Sequence, residues 1–140
     1  MRSTAGTLFL MSNGLVHFIS SLQRVTATST AEAELITLSK CGKFGTYLFN
    51  IIQELGWSSV EPATIYSDSQ GALRLSSNAN FSTSSKHLAM RFFNLKGMVR
   101  AGQLRINYVR SSEQLANLLT KSCDKILHQR LLKASTKFRR

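Results

Sequence analysis

From residue 34 to residue 55 the chain places Leu38, Cys41, Gly45, Leu48, Ile52 and Leu55 at steps of three and four, with Glu34 at the head of the stripe and no proline inside it. That period belongs to one face of an α-helix. Ser29 followed by Glu32 fits a capping box, and Gly56 stands where a helix takes its C-terminal glycine, so the pattern predicts a helix over residues 29–55. A helix of this length has a whole face to bury and needs a sheet or other helices to receive it.

The opposite face runs from Glu32 through Ile36, Ser39, Lys43, Thr46, Asn50 and Glu54 and is mostly polar. At about 100° per residue, Glu32 and Glu34 point roughly 200° apart. Different roles follow for the two carboxylates. Glu32 is expected to cap the helix and face solvent. Glu34 lies at the edge of the buried face, where a charge needs a cation, a hydrogen-bond partner or a functional reason.

Strand signals surround this helix. Residues 7–11 (TLFLM) and 15–20 (LVHFIS) are β-prone and flank Asn13-Gly14, a pair suited to a tight hairpin turn. After Pro62, Ala63–Ser67 is a short β-prone run with Asp68 at its C-terminal end, and Ser69 or Asp68 can cap a short helix through Leu75. Carboxyl ends of strands in open α/β sheets are where sites are built. Residues 78–85 form a polar loop. A helix is expected from residue 85 or 86 to Arg100, with Leu88, Phe92, Leu95 and Val99 inward, stopped by Gly102. A strand over QLRINYVR follows, then a helix over SSEQLANLLTKS with a Ser cap, then an amphipathic helix opened by Asp124 and carrying Ile126, Leu127, Leu131 and Leu132.

The chain has 140 residues, which suits one core, and 18 Lys and Arg against 7 Asp and Glu give a formal charge of +11. Such an excess points to a polyanionic partner, nucleic acid first. Part of it is local, in Lys121, Lys125, Arg130, Lys133, Lys137, Arg139 and Arg140 near the C-terminus. Residues 123–140 therefore read as a basic helix and tail following a domain over residues 1–122, with a merely solvated end as the alternative. Cys41 and Cys123 have no CxxC partner and read as reduced intracellular thiols. No apolar run is long enough to span a bilayer and no cleavable signal is visible, so a cytoplasmic or nuclear site is expected.

Four ordered words, "TSTAEAELITLS", "IYSDSQGAL", "SSKHLAMRFFNLKGMVRAGQLRINYV" and "SEQLANLLTKS", preceded by "RSTAGTLFLMSNGLVHFISSLQ", closely resemble the ribonuclease H region at the C-terminal end of Pol in copia-type LTR retrotransposons. The resemblance covers essentially the whole chain. It implies an α/β ribonuclease H-like fold, a mixed central sheet flanked by helices, downstream of a reverse transcriptase. It also implies hydrolysis of the RNA strand of an RNA/DNA hybrid by two Mg2+ or Mn2+ ions held by four acids. Such ions, roughly 3.5–4 Å apart, activate the attacking water and stabilise the leaving oxygen.

Carried over residue by residue, the helix acid of that family falls on Glu34 and the strand-end acid on Asp68, as catalytic and metal-holding residues. The family's first acid belongs to an opening strand, in a stretch like D-A-D-W-A-G-D, ahead of the segment matched by Arg2 onward. That strand is expected to be missing here, which would expose a neighbouring strand to a protein partner. The family's last acid, in a word like Q-L-A-D-I-L-T-K, is replaced by Asn117. Glu113, one helical turn earlier, is the sole candidate substitute.

Two acids of four should hold metal weakly, so the chain is expected to be a weak or inactive ribonuclease H-like domain. The alternative is a non-catalytic nucleic-acid-binding or scaffolding remnant. Lys86 and His87 match the family's KH word. With Arg91, Lys96 and Arg100 they offer a basic helix for phosphate contact, a solvated basic face being the competing account. For Asp68 the competing account is a helix cap, and for Glu34 a buried salt bridge.

Overall fold

The chain opens with the expected hairpin, β1 (Thr4–Met11) antiparallel to β2 (Gly14–Leu22). Both strands outrun the apolar segments that announced them, since Leu22 and Ser21 still find partners in Thr4 and Ala5. Met11 faces Gly14 across the turn, so Gly14 begins a strand and the linking positions are 12 and 13. The structure, a computed structural model, describes residues 4–11, 14–22, 30–57, 61–76, 86–120, 122 and 124–135. Asn13, Ser29, the loop over 78–85, Lys121 and Cys123 lie outside them. Phe9 pairs with His17 and Leu10 with Leu15, which leaves Val16 as the extra residue of a bulge.

Two compact units divide the chain, Ser29–Tyr108 and the pair of segments Met1–Thr28 with Val109–Arg140. In the first, α1 (Thr30–Glu54) precedes β3 (Ala63–Ser67), α2 (Gln70–Ser76), α3 (Lys86–Arg100) and β4 (Leu104–Tyr108). β3 and β4 pair in parallel, Ile65 beside Ile106. Their inward side chains join Leu35 and Leu38 of α1, Ala72 of α2, and Phe92 and Leu95 of α3 in one cluster. Leu88 and Val99 pack against it, as the spacing of α3 predicted.

Gly42 and Gly45 let α1 lie close to the sheet. A methyl group at Gly42 would stand 2.8 Å from Leu95 Cδ2 and 3.2 Å from Leu104 Cδ2. Both long helices end as the sequence announces. At Gly56 (φ 88°) and Gly102 (φ 69°) the backbone turns left-handed, which only glycine adopts cheaply. The amides of Trp57 and Gln103 then reach back to the carbonyls of Ile52 and Met98, at 3.2 and 3.0 Å, closing the helix ends.

Several expectations are corrected. The single mixed sheet is not found: the described strands form two two-stranded sheets, β1 with β2 and β3 with β4, because no described strand pairs with a member of each. Ile36 and Ser39, expected on the polar face of α1, are buried, and Glu32 is half-buried like Glu34. The first turns of α1 are thus covered over more than one stripe, so the angular separation of the two acids does not sort them by exposure. Leu55, expected inward, is 71% exposed, since the helix has already ended at Glu54.

In the second unit, the segment after β4 is not one α-helix but two 3-10 turns, Ser111–Glu113 and Leu115–Leu119. Gln114 between them is extended (φ −75°, ψ 104°), and its side-chain oxygen accepts from the Ala116 amide at 3.3 Å. It therefore caps the second turn and interrupts the ladder that an α-helix would need. This turn lies hard against β1. A methyl group at Gly6 would fall 2.6 Å from Thr120 Cγ2 and 2.9 Å from the Ala116 carbonyl oxygen. Ser20 Oγ adds a hydrogen bond to the Leu119 carbonyl at 2.9 Å.

The last helix, α4 (Lys125–Ser135), packs on the second 3-10 turn. Ile126 and Leu132 of its expected apolar stripe are exposed. The side chains of Leu127 and Leu131 lie outside the described residues.

Candidate functional site

Glu34 sits in the second turn of α1, half-buried between the buried Ala33 and Leu35. Asp68, also half-buried, follows directly on the last residue of β3. The start of α2 is capped by Ser69, whose Oγ accepts from the Ala72 amide at 3.0 Å and is tied to Ser67 Oγ at 3.1 Å. Ser69 therefore fills the role of helix cap that had been the alternative account of Asp68.

Packing makes the two segments neighbours. A methyl group at Gly71 would stand 3.8 Å from Leu35 Cδ1 and 3.9 Å from Leu38 Cδ2, so the turn of α1 that carries Glu34 rests on α2 three residues past Asp68. The core thus sets the turn of α1 that carries Glu34 against α2, the helix that follows Asp68.

Asn117 belongs to the other unit. It is 9% exposed, and its Nδ2 donates to the Ser111 carbonyl oxygen at 2.8 Å. That oxygen also accepts from the Gln114 amide at 3.4 Å. The amide of Asn117 therefore clips the second 3-10 turn to the first, a bond that needs a donor and that an ionised carboxylate cannot make. Glu113 is exposed and lies in the first turn, across the extended Gln114 from Asn117. The α-helical spacing that would put the two on one face is absent. Among the other acids, Glu61 forms a surface ion pair with Arg105. Among the described residues, no group of three or more His, Cys, Asp or Glu side chains is placed to hold a metal ion.

The basic side chains of α3 fall in two groups, Lys86, Lys96 and Arg100 within about 80° of one another and His87 with Arg91 on another side. Lys86, His87 and Arg100 are exposed, whereas Arg91 and Lys96 are half-buried and point about 140° apart, on either side of the buried stripe. Lys96 Nζ lies 5.9 Å from the centroid of the Phe92 ring, so part of its charge is spent on a core aromatic.

Cys41 packs against the core cluster, and burial pushes its thiol from 9.0 up to about 12. A thiol so protonated is no nucleophile at neutral pH. Because the folded state holds this proton more tightly than the unfolded one, its contribution to stability is complete below pH 9 and is lost as pH climbs from 9 toward about 12. In a Cys123→Ser background, Cys41 should resist a maleimide at pH about 8 and react on addition of denaturant. Alkylation of the folded chain at the rate of a free thiol would refute this burial.

The chain is similar to retrotransposon Pol polyproteins. It is 36% identical over 120 residues, 86% of this chain and 9% of the relative, to the "Retrovirus-related Pol polyprotein from transposon TNT 1-94" of Nicotiana tabacum. Identity is 28% over 127 residues, 91% of this chain and 9% of the relative, to the Pol polyprotein from transposon RE2 of Arabidopsis thaliana. With the Transposon Ty1-DR1 Gag-Pol polyprotein of Saccharomyces cerevisiae it is 26% over 125 residues, 86% of this chain and 7% of the relative. The chain thus spans less than a tenth of each of these relatives. No protein-family model and no solved structure matches the chain. Among the described residues, no helix is long and apolar enough to cross a membrane.

Proposed function

We propose that the chain is a ribonuclease H-like domain of a copia-type Pol polyprotein, derived from an enzyme that hydrolyses the RNA strand of RNA/DNA hybrids and itself weak or inactive. The observation that carries this is the packing of the Glu34 turn of α1 on the segment that follows Asp68, in a chain whose relatives are Pol polyproteins. Carboxylate oxygens suit Mg2+ or Mn2+. Two half-buried carboxylates nevertheless do not make a two-metal centre, so no catalytic step is assigned to them. Asn117 adds no charge, and its amide is engaged with Ser111.

This last contact favours the second account, a non-catalytic nucleic-acid-binding or scaffolding remnant. In either case an RNA/DNA hybrid is the proposed nucleic-acid partner, met through phosphates by Lys86, Lys96 and Arg100 on one side of α3 and by His87 and Arg91 on another. A reverse transcriptase segment of the larger polyprotein and an intracellular setting belong to the same proposal. The sheet fits a protein partner too. β3 and β4 bury Ile65, Leu104 and Ile106 on one face and expose Tyr66, Arg105 and Asn107 on the other, whereas parallel sheets are ordinarily covered on both.

A labelled RNA/DNA duplex with Mg2+ tests the proposal. Binding at low salt that weakens steeply as salt rises, with slow or no cleavage, is the expected result. Robust Mg2+-dependent cutting that disappears on Glu34→Gln would overturn the claim of weak activity. Absence of binding at low salt would remove the nucleic-acid partner.

A further inference from the structure

α3 has a second face that the core does not use. Lys86, Met90, Phe93, Gly97 and Arg100 follow one another at steps of four, three, four and three, and all five are exposed, Met90 at 63% and Phe93 at 58%. They form a straight ridge about 21 Å long, four helical turns. Its middle is apolar and its two ends are cationic.

Gly97 is the informative member. Mid-helix glycine costs about 1 kcal/mol relative to alanine, and here nothing lies within 4 Å of where a Cβ would be. No contact among the described residues accounts for it. A missing side chain on an outward helix face, beside an exposed Phe and Met, lets another backbone come close. Lys86 stands in the first turn, where the helix dipole disfavours a cation, so helix stability does not explain its place either.

We propose that this ridge docks an acidic amphipathic helix of a protein partner. Met90 and Phe93 would enter its apolar stripe, Gly97 would admit its backbone, and Lys86 and Arg100 would pair with carboxylates at its two ends. Charge selects the partner: α3 contains no acid, and the chain as a whole carries +11, so a second copy is repelled. Nucleic acid is the weaker fit. Met90, Phe93 and Gly97 themselves offer no side-chain hydrogen-bond donor, and one aromatic ring is not the succession of rings that a single strand stacks on.

Four-turn amphipathic helices displayed on phage and selected against the full chain provide the test. The expected pool is acidic, carries apolar residues at steps of three and four, and loses about tenfold or more in affinity on Phe93→Ala. Gly97→Leu should block the same peptides while raising the melting temperature of the chain, since leucine is the better helix former. That split, firmer folding with weaker binding, is not what a purely structural role for Gly97 gives. No enrichment, a pool without acidic bias, or peptides indifferent to both substitutions would overturn the proposal. So would a thymidine-rich single strand that depends on Phe93 more than the peptides do.

Discussion

Replacing Phe92 with alanine is expected to destabilise the chain by about 3–5 kcal/mol, the cost of a large cavity at a site that cannot collapse around it. Phe92 is 0% exposed and belongs to the buried cluster that joins α1, α3 and the parallel sheet, with Leu35, Leu38, Leu95 and Leu104 among its members. Small domains are stable by only about 5–15 kcal/mol, so the variant should unfold at a much lower urea concentration. Phe93→Ala, one residue on and more than half exposed, should shift the midpoint little. Equal shifts for the two would mean that α3 is rotated from the orientation described.

Asn117→Asp is expected to cost about 1–3 kcal/mol at neutral pH. The substitution restores the acid that the resemblance implies, but it removes the donor to the Ser111 carbonyl and turns a carboxylate oxygen toward that oxygen in a buried place. Burial and the facing carbonyl both raise the pKa of the new carboxyl. The native state of the variant then holds a proton more tightly than its unfolded state, so stability falls as pH rises above the unfolded value. Below that value the protonated acid can donate as the amide does, and wild-type stability should return. Urea melts of both chains across acidic and neutral pH decide the matter. A variant as stable as the wild type at neutral pH would show that the clip contributes nothing.

Features set by a few adjacent residues were legible in the sequence. Gly56 and Gly102 each sit where a helix must turn left-handed to end, and β3 and α3 were bounded correctly by Pro62, Asp68 and Gly102. The inward stripe of α3 was legible because a single buried face has a single period. The stripe of α1 was less so, because its first turns are buried over several directions at once and Ile36 and Ser39 go in with Leu35 and Leu38.

The segment 111–119 shows the limit most clearly. Its composition suits a helix, and what breaks it is the extended backbone of Gln114 together with two side-chain hydrogen bonds, from Ala116 to Gln114 and from Asn117 to Ser111. No spacing rule carries that information. For the site, the sequence placed Glu34 at the head of a buried stripe and Asp68 at a strand tip. It left the cap open between Ser69 and Asp68, and it could not foresee that Glu113 would be separated from Asn117.

The proposed function has Glu34 and Asp68 share a single, weak divalent-cation site. Mn2+ titrated into the isotope-labelled chain tests it directly, since the ion broadens the amide signals near wherever it binds. Amides around Glu34 and around Asp68 should broaden together, only at high Mn2+, and either Glu34→Gln or Asp68→Asn should abolish both effects. Broadening at one acid without the other, or broadening unchanged by both substitutions, would contradict it.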